Sequence, residues 1–250
     1  PARRASGMVR RMSTGSAESR SLLVPVLALA ALGFAVRAAT VFVAPNIAGA
    51  DEIYQTTEQA YRLLTGRGFV PWEFYYGVRS WIFPGLLAGL IKICWSAGLG
   101  PIGAFQAIRL AMAALSLPTV ACAWLWGRRS ALPGAALFCG LLAALWPDAV
   151  YFSVHPLNEV LAAALLIPGI FLAEPAPGAT AGRGRVFVAA FLLAWAAVFR
   201  LQLAPAAFIA WLWAVWPDRR RLLAPAFIGG LLPVLVAGAV DWATWGRPWQ

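Results

Sequence analysis

Carboxylate, amide and guanidinium side chains recur at helical spacing between residues 49 and 66. The helix predicted there begins at Asp51, because Asp is a favoured N-cap, and ends at Gly66, because Gly is favoured after a last turn. One face would be polar and look into a cavity; it carries Asp51, Gln55, Glu58 and Arg62. The opposite face would lie on the membrane surface, with Ile53, Ala60 and Leu64.

Two kinds of chemistry are open to such a face. A carboxylate such as that of Asp51 can act as general base toward a hydroxyl group and raise its reactivity by ~10²–10⁴. A guanidinium group can bind a phosphate through two parallel hydrogen bonds. The alternative interpretation is that Asp51 only caps the helix and that Glu52 only complements its dipole. Spacing alone leaves both interpretations open.

Glu73 is the one carboxylate in an aromatic run that extends from Pro71 to Tyr76. A charge in such surroundings needs a partner, and Arg79 is near in sequence. The aromatic rings of the run are expected at a membrane interface, and stacking on a sugar is the alternative.

A second group of polar residues begins at His155, the only histidine. Asn158 and Glu159 follow one helical turn later, so the three side chains could line the same cavity as Asp51. The alternative for His155 is ordinary helix-end chemistry. Arg200 interrupts a long apolar stretch.

The elements that must position these residues are apolar. Hydrophobic residues make up 61% of the 250 positions and charged residues 12%, whereas about 25% is usual in soluble domains. A membrane-spanning helix needs ~20 apolar residues. The stretches that meet or approach this length are Leu22–Ala44, Trp81–Gly98, Pro101–Trp126, Ala131–Phe152, Pro156–Ala173, Val186–Val215 and Leu222–Val240. The sequence therefore predicts an all-α, polytopic transmembrane helical bundle with an amphipathic helix in its first outer loop.

The net charge of +10 comes mainly from arginines between these stretches. That distribution orients helices by the positive-inside rule and does not indicate nucleic-acid binding. Residues 1–20 are expected to be a disordered cytoplasmic arm, and residues 21–250 one transmembrane catalytic domain that continues beyond the C-terminus. Three unpaired cysteines, Cys94, Cys122 and Cys139, indicate neither disulfides nor a metal site, and no cofactor is expected.

The arginine clusters place residues 45–80 outside the membrane as a loop. The loop is expected outside and Arg128 inside, so the chain must cross the membrane an odd number of times between them. Two apolar stretches lie there, Trp81–Gly98 and Pro101–Trp126. Either one stretch does not span, or the second breaks at Pro118, or Arg128 lies outside. The interruption at Arg200 predicts two short passes in the stretch that contains it.

The outer loop resembles the first luminal loop of the glycosyltransferase family 22 mannosyltransferases, above all the members that act on GPI-anchor precursors. The resemblance covers most of residues 40–250 and departs from the family before the acidic pair, where Gly49 and Ala50 replace the usual His or Pro. The residues that carry it are Asp51, Glu52, Ile53, Tyr54, Gln55, Glu58, Ala60, Arg62, Gly66, Gly68, Trp72, Glu73, Gly77, Val78, Arg79, Ser80, Trp81 and Pro84, then Pro156, Leu157, Asn158 and Glu159, then Phe199 and Arg200, then Asp241, Gly246 and Arg247.

The resemblance implies a GT-C fold and an inverting α-mannosyltransferase. Its partners would be a polyprenyl- or dolichyl-phosphate mannose donor, a lipid-linked or surface glycan acceptor, and membrane lipid. Asp51 would be the general base, with Glu52 beside it in the catalytic pair, and Arg79 or Arg200 would stabilise the leaving phosphate. The expected substrate-binding residues are Glu58, Arg62, Glu73, Arg79, His155, Asn158, Glu159 and Arg200.

Other functions remain possible from the sequence. A carrier or flippase of polyprenyl-linked glycans would place its ionisable residues near the bilayer midplane and show related halves, but most acids here fall near predicted outer ends and no internal repeat is evident. A non-catalytic subunit would not need the acidic pair. The composition, rich in Ala and Arg with one Lys, suggests a bacterial inner membrane, or the endoplasmic reticulum in a eukaryote, with the site on the non-cytoplasmic side.

Overall fold

The computed structural model describes residues 2–175 and 181–249, with side chains from residue 23 onward. Most of these residues lie in helices, and no β-strand occurs among them. The α-helices are α1 (Ala2–Val43), α2 (Glu58–Thr65), α3 (Trp72–Tyr75), α4 (Ile82–Ser96), α5 (Pro101–Arg129), α6 (Ala135–Leu145), α7 (Pro147–Phe152), α8 (Asn158–Ala173), α9 (Arg183–Phe199), α10 (Ala204–Val215) and α11 (Arg219–Trp245). A π-helical segment, Glu52–Thr57, leads directly into α2.

Three segments are long and apolar enough to cross a membrane: Leu23–Val43, Pro101–Arg129 and Leu201–Trp245. The last combines a 3₁₀ turn (Leu201–Leu203), α10, a second 3₁₀ turn (Trp216–Asp218) and α11. Shorter apolar helices, α4, α6 and α8, accompany them. The prediction of an all-α, polytopic membrane protein is therefore confirmed.

The first helix begins earlier than the sequence predicts. Its backbone is helical from Ala2, through the residues expected to form a disordered arm. No proline occurs between residues 2 and 24 to stop the helix, and Ala, Arg and Met favour it. Pro25 lies inside α1 without ending it.

The long helix α5 excludes one of the three ways to obtain an odd number of crossings between the outer loop and Arg128. It continues through Pro118 to Arg129, so the chain does not break at that proline. Next to Pro118, the Thr119 hydroxyl donates to the Ser116 carbonyl oxygen at 2.6 Å. Helix α4, by contrast, has 15 residues and packs against α2 and the π segment of the outer loop.

A buried arginine joins α1 to the end of α6. The sequence predicts one apolar stretch here, but the chain bends at Trp146 because Pro147 disfavours a helical residue before it. The break leaves carbonyl groups without intrahelical partners. The guanidinium group of Arg37, 1% exposed, donates to the carbonyl oxygens of Ala144 at 2.8 Å and Ala143 at 3.1 Å.

The second half of the chain packs around small residues. Helices α8, α9, α10 and α11 share a core in which alanines such as Ala189, Ala210 and Ala226 are buried. At Gly229 a Cβ atom would collide with the carbonyl group of Phe187, so α9 and α11 approach backbone to backbone. Small residues permit such close contact between membrane helices. The predicted interruption at Arg200 is present as the break between α9 and α10.

Candidate functional site

The outer-loop helix is continuous from the π segment through α2 to its C-cap at Gly66, as the sequence predicts. Gly66 adopts φ +70° and its N–H bonds the Arg62 carbonyl oxygen at 2.8 Å. The apolar face does not lie free on a membrane surface: Ala60 is fully buried in the core formed with α4 and α5. The reason is that α4 packs against α2.

The first part of the predicted polar face lies in or beside the π segment. Its backbone bonds run from residue i to i+5, as from the Glu58 N–H to the Ile53 carbonyl oxygen. Gln55 turns inward and is 7% exposed, whereas Asp51 stays exposed. A π turn inside a helix frequently marks a functional site.

Asp51 lies in helical conformation and makes no side-chain capping bond. The alternative in which it serves only as an N-cap therefore has no hydrogen bond to support it among the described residues. Its carboxylate is exposed to solvent, one turn before Gln55 on the same helix.

Glu52 is fully buried and pairs with fully buried His155. Glu52 Oε2 lies 2.8 Å from His155 Nδ1 and accepts the Ala48 N–H at 2.7 Å. One of these two atoms must carry the shared proton, because an ionised carboxylate and an unprotonated ring nitrogen can both only accept. Arg109, on α5, is 1% exposed, and two of its guanidinium nitrogens have no hydrogen-bond partner among the described residues. The pair of Glu52 and His155 ties the outer loop to the turn before α8.

Breaking this pair is expected to cost more stability than activity. Glu52→Leu and His155→Leu should each lower the free energy of unfolding by about 3–5 kcal/mol, because each leaves a buried polar partner alone. The double variant should lose less than the sum, with a coupling of about 0.5–3 kcal/mol. Thermal unfolding in detergent of the wild type, the two single variants and the double variant measures this coupling. Additive losses would show that the contact contributes nothing.

A cavity of about 970 Å³ opens beside the loop helix and extends between α9, α10 and α11. Its walls along these helices are apolar, with side chains such as Leu193, Phe208 and Val234. Its polar residues gather where the outer loop meets the helix ends: Gln55, Glu73, Arg79, Ser80, Asn158, Arg200, Gln202 and Asp241. Four of the predicted binding residues, Glu73, Arg79, Asn158 and Arg200, are thus brought together from three separate parts of the chain.

Most charges in and beside this polar end already have partners. Glu73 Oε1 accepts a hydrogen bond from Gln55 Nε2 at 3.0 Å, so the expected pairing of Glu73 with Arg79 is not the one observed. Arg200, after α9, forms an ion pair with Glu159 at 2.7 Å. Arg79 has neither an ion pair nor a side-chain hydrogen bond to any described residue, which leaves its guanidinium group available to an anionic ligand.

The remaining predicted residues, Asp51 among them, do not line the cavity. Glu58 Oε1 accepts the Phe69 N–H at 3.0 Å and so closes the end of the loop on itself. Arg62 is half-buried on α2. Among the described residues no cluster of His, Cys, Asp and Glu suited to a metal ion occurs, and the absence of a metal or cofactor stays a prediction.

Three residues of the site region are not predicted as site residues: Arg109, Ser80 and Asp241, although the last two belong to the resemblance. Ser80 donates its hydroxyl to Asp241 Oδ1 at 2.9 Å across 161 residues of chain. A signal for Arg109 exists, because a charged residue within an apolar span marks a functional or structural site by default. Asp241 carries the same signal, since it ends an apolar stretch.

The chain is similar in sequence to known mannosyltransferases. The model of the Alg9-like mannosyltransferase family matches residues 29–247. GPI mannosyltransferase 3 of Drosophila melanogaster is 46% identical over 59 residues, which are 24% of this chain and 10% of the fly protein. GPI mannosyltransferase 3 of Trypanosoma brucei brucei is 50% identical over 38 residues, 15% of this chain and 7% of that protein.

The aligned segments thus span a tenth or less of these curated relatives. No solved structure matches the chain significantly. The family match, however, runs through most of the described helices, from within α1 to just beyond α11. The chain belongs to the Alg9-like mannosyltransferase family of glycosyltransferases.

Proposed function

We propose that this chain carries the donor site and the general base of an inverting α-mannosyltransferase. The donor would be a polyprenyl- or dolichyl-phosphate mannose, and the acceptor a hydroxyl group of a lipid-linked or surface glycan. The observation that carries the proposal is the cavity, whose polar end adjoins an apolar channel between three helices. A lipid-phosphate sugar has the same division between a polar head and an apolar tail.

The polar end suits the head of such a donor. The phosphate would meet Arg79, whose guanidinium group has no described ionic partner, with Arg200 beside the same cavity. The prenyl tail would follow the apolar walls formed by α9, α10 and α11. The exposed aromatic ring of Trp72 lines the same cavity.

The chemical step needs one base and one stabilised leaving group. The acceptor oxygen attacks the anomeric carbon, the bond from that carbon to the phosphate oxygen breaks, and the acceptor proton passes to Asp51. One displacement inverts the anomeric carbon. The departing lipid phosphate gains negative charge, which Arg79 would stabilise. Glu52 and His155, buried away from the cavity, would hold the loop rather than contact substrate.

The site would face the non-cytoplasmic side. At 15 residues, α4 is roughly 22 Å long, shorter than the ~30 Å hydrocarbon core. Since α4 also packs on the outer-loop helix, we propose that it does not span. The number of crossings between the loop and Arg128 then becomes odd, and the arginine clusters share one side. The membrane would be a bacterial inner membrane or, in a eukaryote, the endoplasmic reticulum.

An assay of transfer tests the proposal. Membranes that contain the protein should transfer radiolabel from polyprenyl-phosphate mannose to a glycan or glycolipid acceptor, and should not do so from a nucleotide-linked mannose. Membranes with an Asp51→Asn variant provide the matched background. Transfer from the nucleotide sugar alone would contradict the proposed donor. Translocation of intact lipid-linked glycan without transfer would favour the carrier.

A further inference from the structure

Asp241 is a buried carboxylate at the polar end of the cavity. It lies in the last turns of α11, is 4% exposed, and lines the cavity together with Arg79. A charged residue in an apolar membrane helix carries a large energetic cost and persists where it has a function. Packing alone therefore does not explain why a carboxylate lies at this position.

One oxygen of this carboxylate is fixed and the other is free. The Ser80 hydroxyl donates to Asp241 Oδ1 at 2.9 Å. Asp241 Oδ2 has no hydrogen-bond donor among the described residues, and it is not enclosed in the protein interior. The free oxygen is thus held in a defined direction by a bond to the outer loop and can accept a hydrogen bond from a ligand in the cavity.

The charge of the group decides what kind of ligand atom it can bind. A carboxylate repels a phosphate but accepts hydrogen bonds from hydroxyl groups. The phosphate of a donor is better served by Arg79, which lines the same cavity. The aromatic rings of Trp72 and Trp249, both well exposed, also line it and offer apolar surfaces to a sugar ring.

We propose that Asp241 binds a hydroxyl group of the donor's hexose and that Ser80 orients it for that purpose. The inference rests on the proposed function, because it assigns the sugar subsite of the same cavity. The charged groups of the cavity then bind different parts of the donor, with arginine on the phosphate and Asp241 on the sugar. Asp241 takes no part in bond breaking.

The competing explanation is that Asp241 only tethers the outer loop to α11. Asp241→Asn separates the two. The Asn carbonyl oxygen can still accept the Ser80 hydroxyl, so the tether survives, whereas the ionised acceptor for a sugar hydroxyl is lost. Ser80→Ala is the matched variant, since it removes the tether and keeps the carboxylate.

Binding of two lipids to the full protein in detergent provides the test: polyprenyl-phosphate mannose and sugar-free polyprenyl phosphate. Asp241→Asn should weaken binding of the mannosyl lipid by ~10-fold or more, because hydrogen bonds to charged groups are the stronger ones. It should leave binding of polyprenyl phosphate unchanged or tighter, because a repelling charge is gone. Ser80→Ala should weaken the mannosyl lipid only a few-fold.

A second measurement uses mannosyl lipids that each lack one sugar hydroxyl. At least one of them should bind wild-type protein ~10-fold more weakly than the parent lipid, yet bind the Asp241→Asn variant as well as the parent does. Equal losses for both lipids in Asp241→Asn, or no loss in either, would overturn the assignment. Failure of wild-type membranes to transfer mannose would instead contradict the proposed function, and the binding ratio would still decide the role of Asp241.

Discussion

Asp51→Asn is expected to lower mannose transfer by ~10²-fold or more while protein level and donor binding stay close to those of the wild type. The substitution keeps the size of the side chain and removes its ability to accept a proton. Asp51 makes no capping bond, so the helix that follows has nothing to lose by the change. Transfer of radiolabelled mannose, divided by the amount of folded protein, measures the effect.

The control for this variant is Asp148→Asn, an exposed carboxylate that bonds only the Trp146 ring N–H among the described residues. Its activity should equal that of the wild type. Glu52→Gln should also be milder, because its amide oxygen can still accept the Ala48 N–H. Wild-type transfer by Asp51→Asn would end the general-base proposal. A loss seen only with Asp51→Ala, accompanied by lower stability, would return Asp51 to a structural role.

Arg79→Lys is expected to lose ~10- to 100-fold in transfer although the charge is kept. A lysine ammonium is a point donor and cannot reproduce the two parallel bonds that a guanidinium group makes to phosphate. Arg79→Ala should lose more. The loss should appear equally in the binding of polyprenyl phosphate without its sugar, since the proposed contact is to the phosphate.

Arg62→Lys is the matched control, because Arg62 belongs to the same loop but lies outside the cavity. It should retain near-normal transfer. Arg200→Lys should cost less than Arg79→Lys, because Arg200 already has Glu159 as a partner at 2.7 Å. If Arg79→Lys were as active as the wild type, the phosphate contact would belong to Arg200 instead.

The helices of this fold could be predicted because long apolar stretches leave a membrane segment few alternatives. The break at Arg200 was visible as a charge in an apolar run. The bend at Trp146 was not predicted, although Pro147 carried the signal for it. Whether α5 would pass Pro118 intact could not be read from the sequence, since it depends on packing around that turn.

The residues of the site were easier to find than their partners. Helical periodicity groups Asp51 with Gln55, but in the folded chain only Gln55 is buried and lines the cavity. The contact between Ser80 and Asp241 joins residues 161 positions apart, and that between Glu52 and His155 joins residues 103 apart. A single sequence does not show which residues far apart along the chain come into contact. For the same reason the sequence suggested Arg79 for Glu73, where the folded chain supplies Gln55.

The bond between Arg37 and the end of α6 has a consequence for how the protein is made. The carbonyl group of Ala144 that receives Arg37 is synthesised 107 residues after it. While those residues are still being added, the first helix holds this cation with the Gly33 carbonyl oxygen of its own helix as acceptor, and without the two acceptors that α6 provides. A charged side chain in the hydrocarbon region carries an energetic cost. A nascent chain arrested before α6 should therefore leave Arg37 less well paired than the finished protein does.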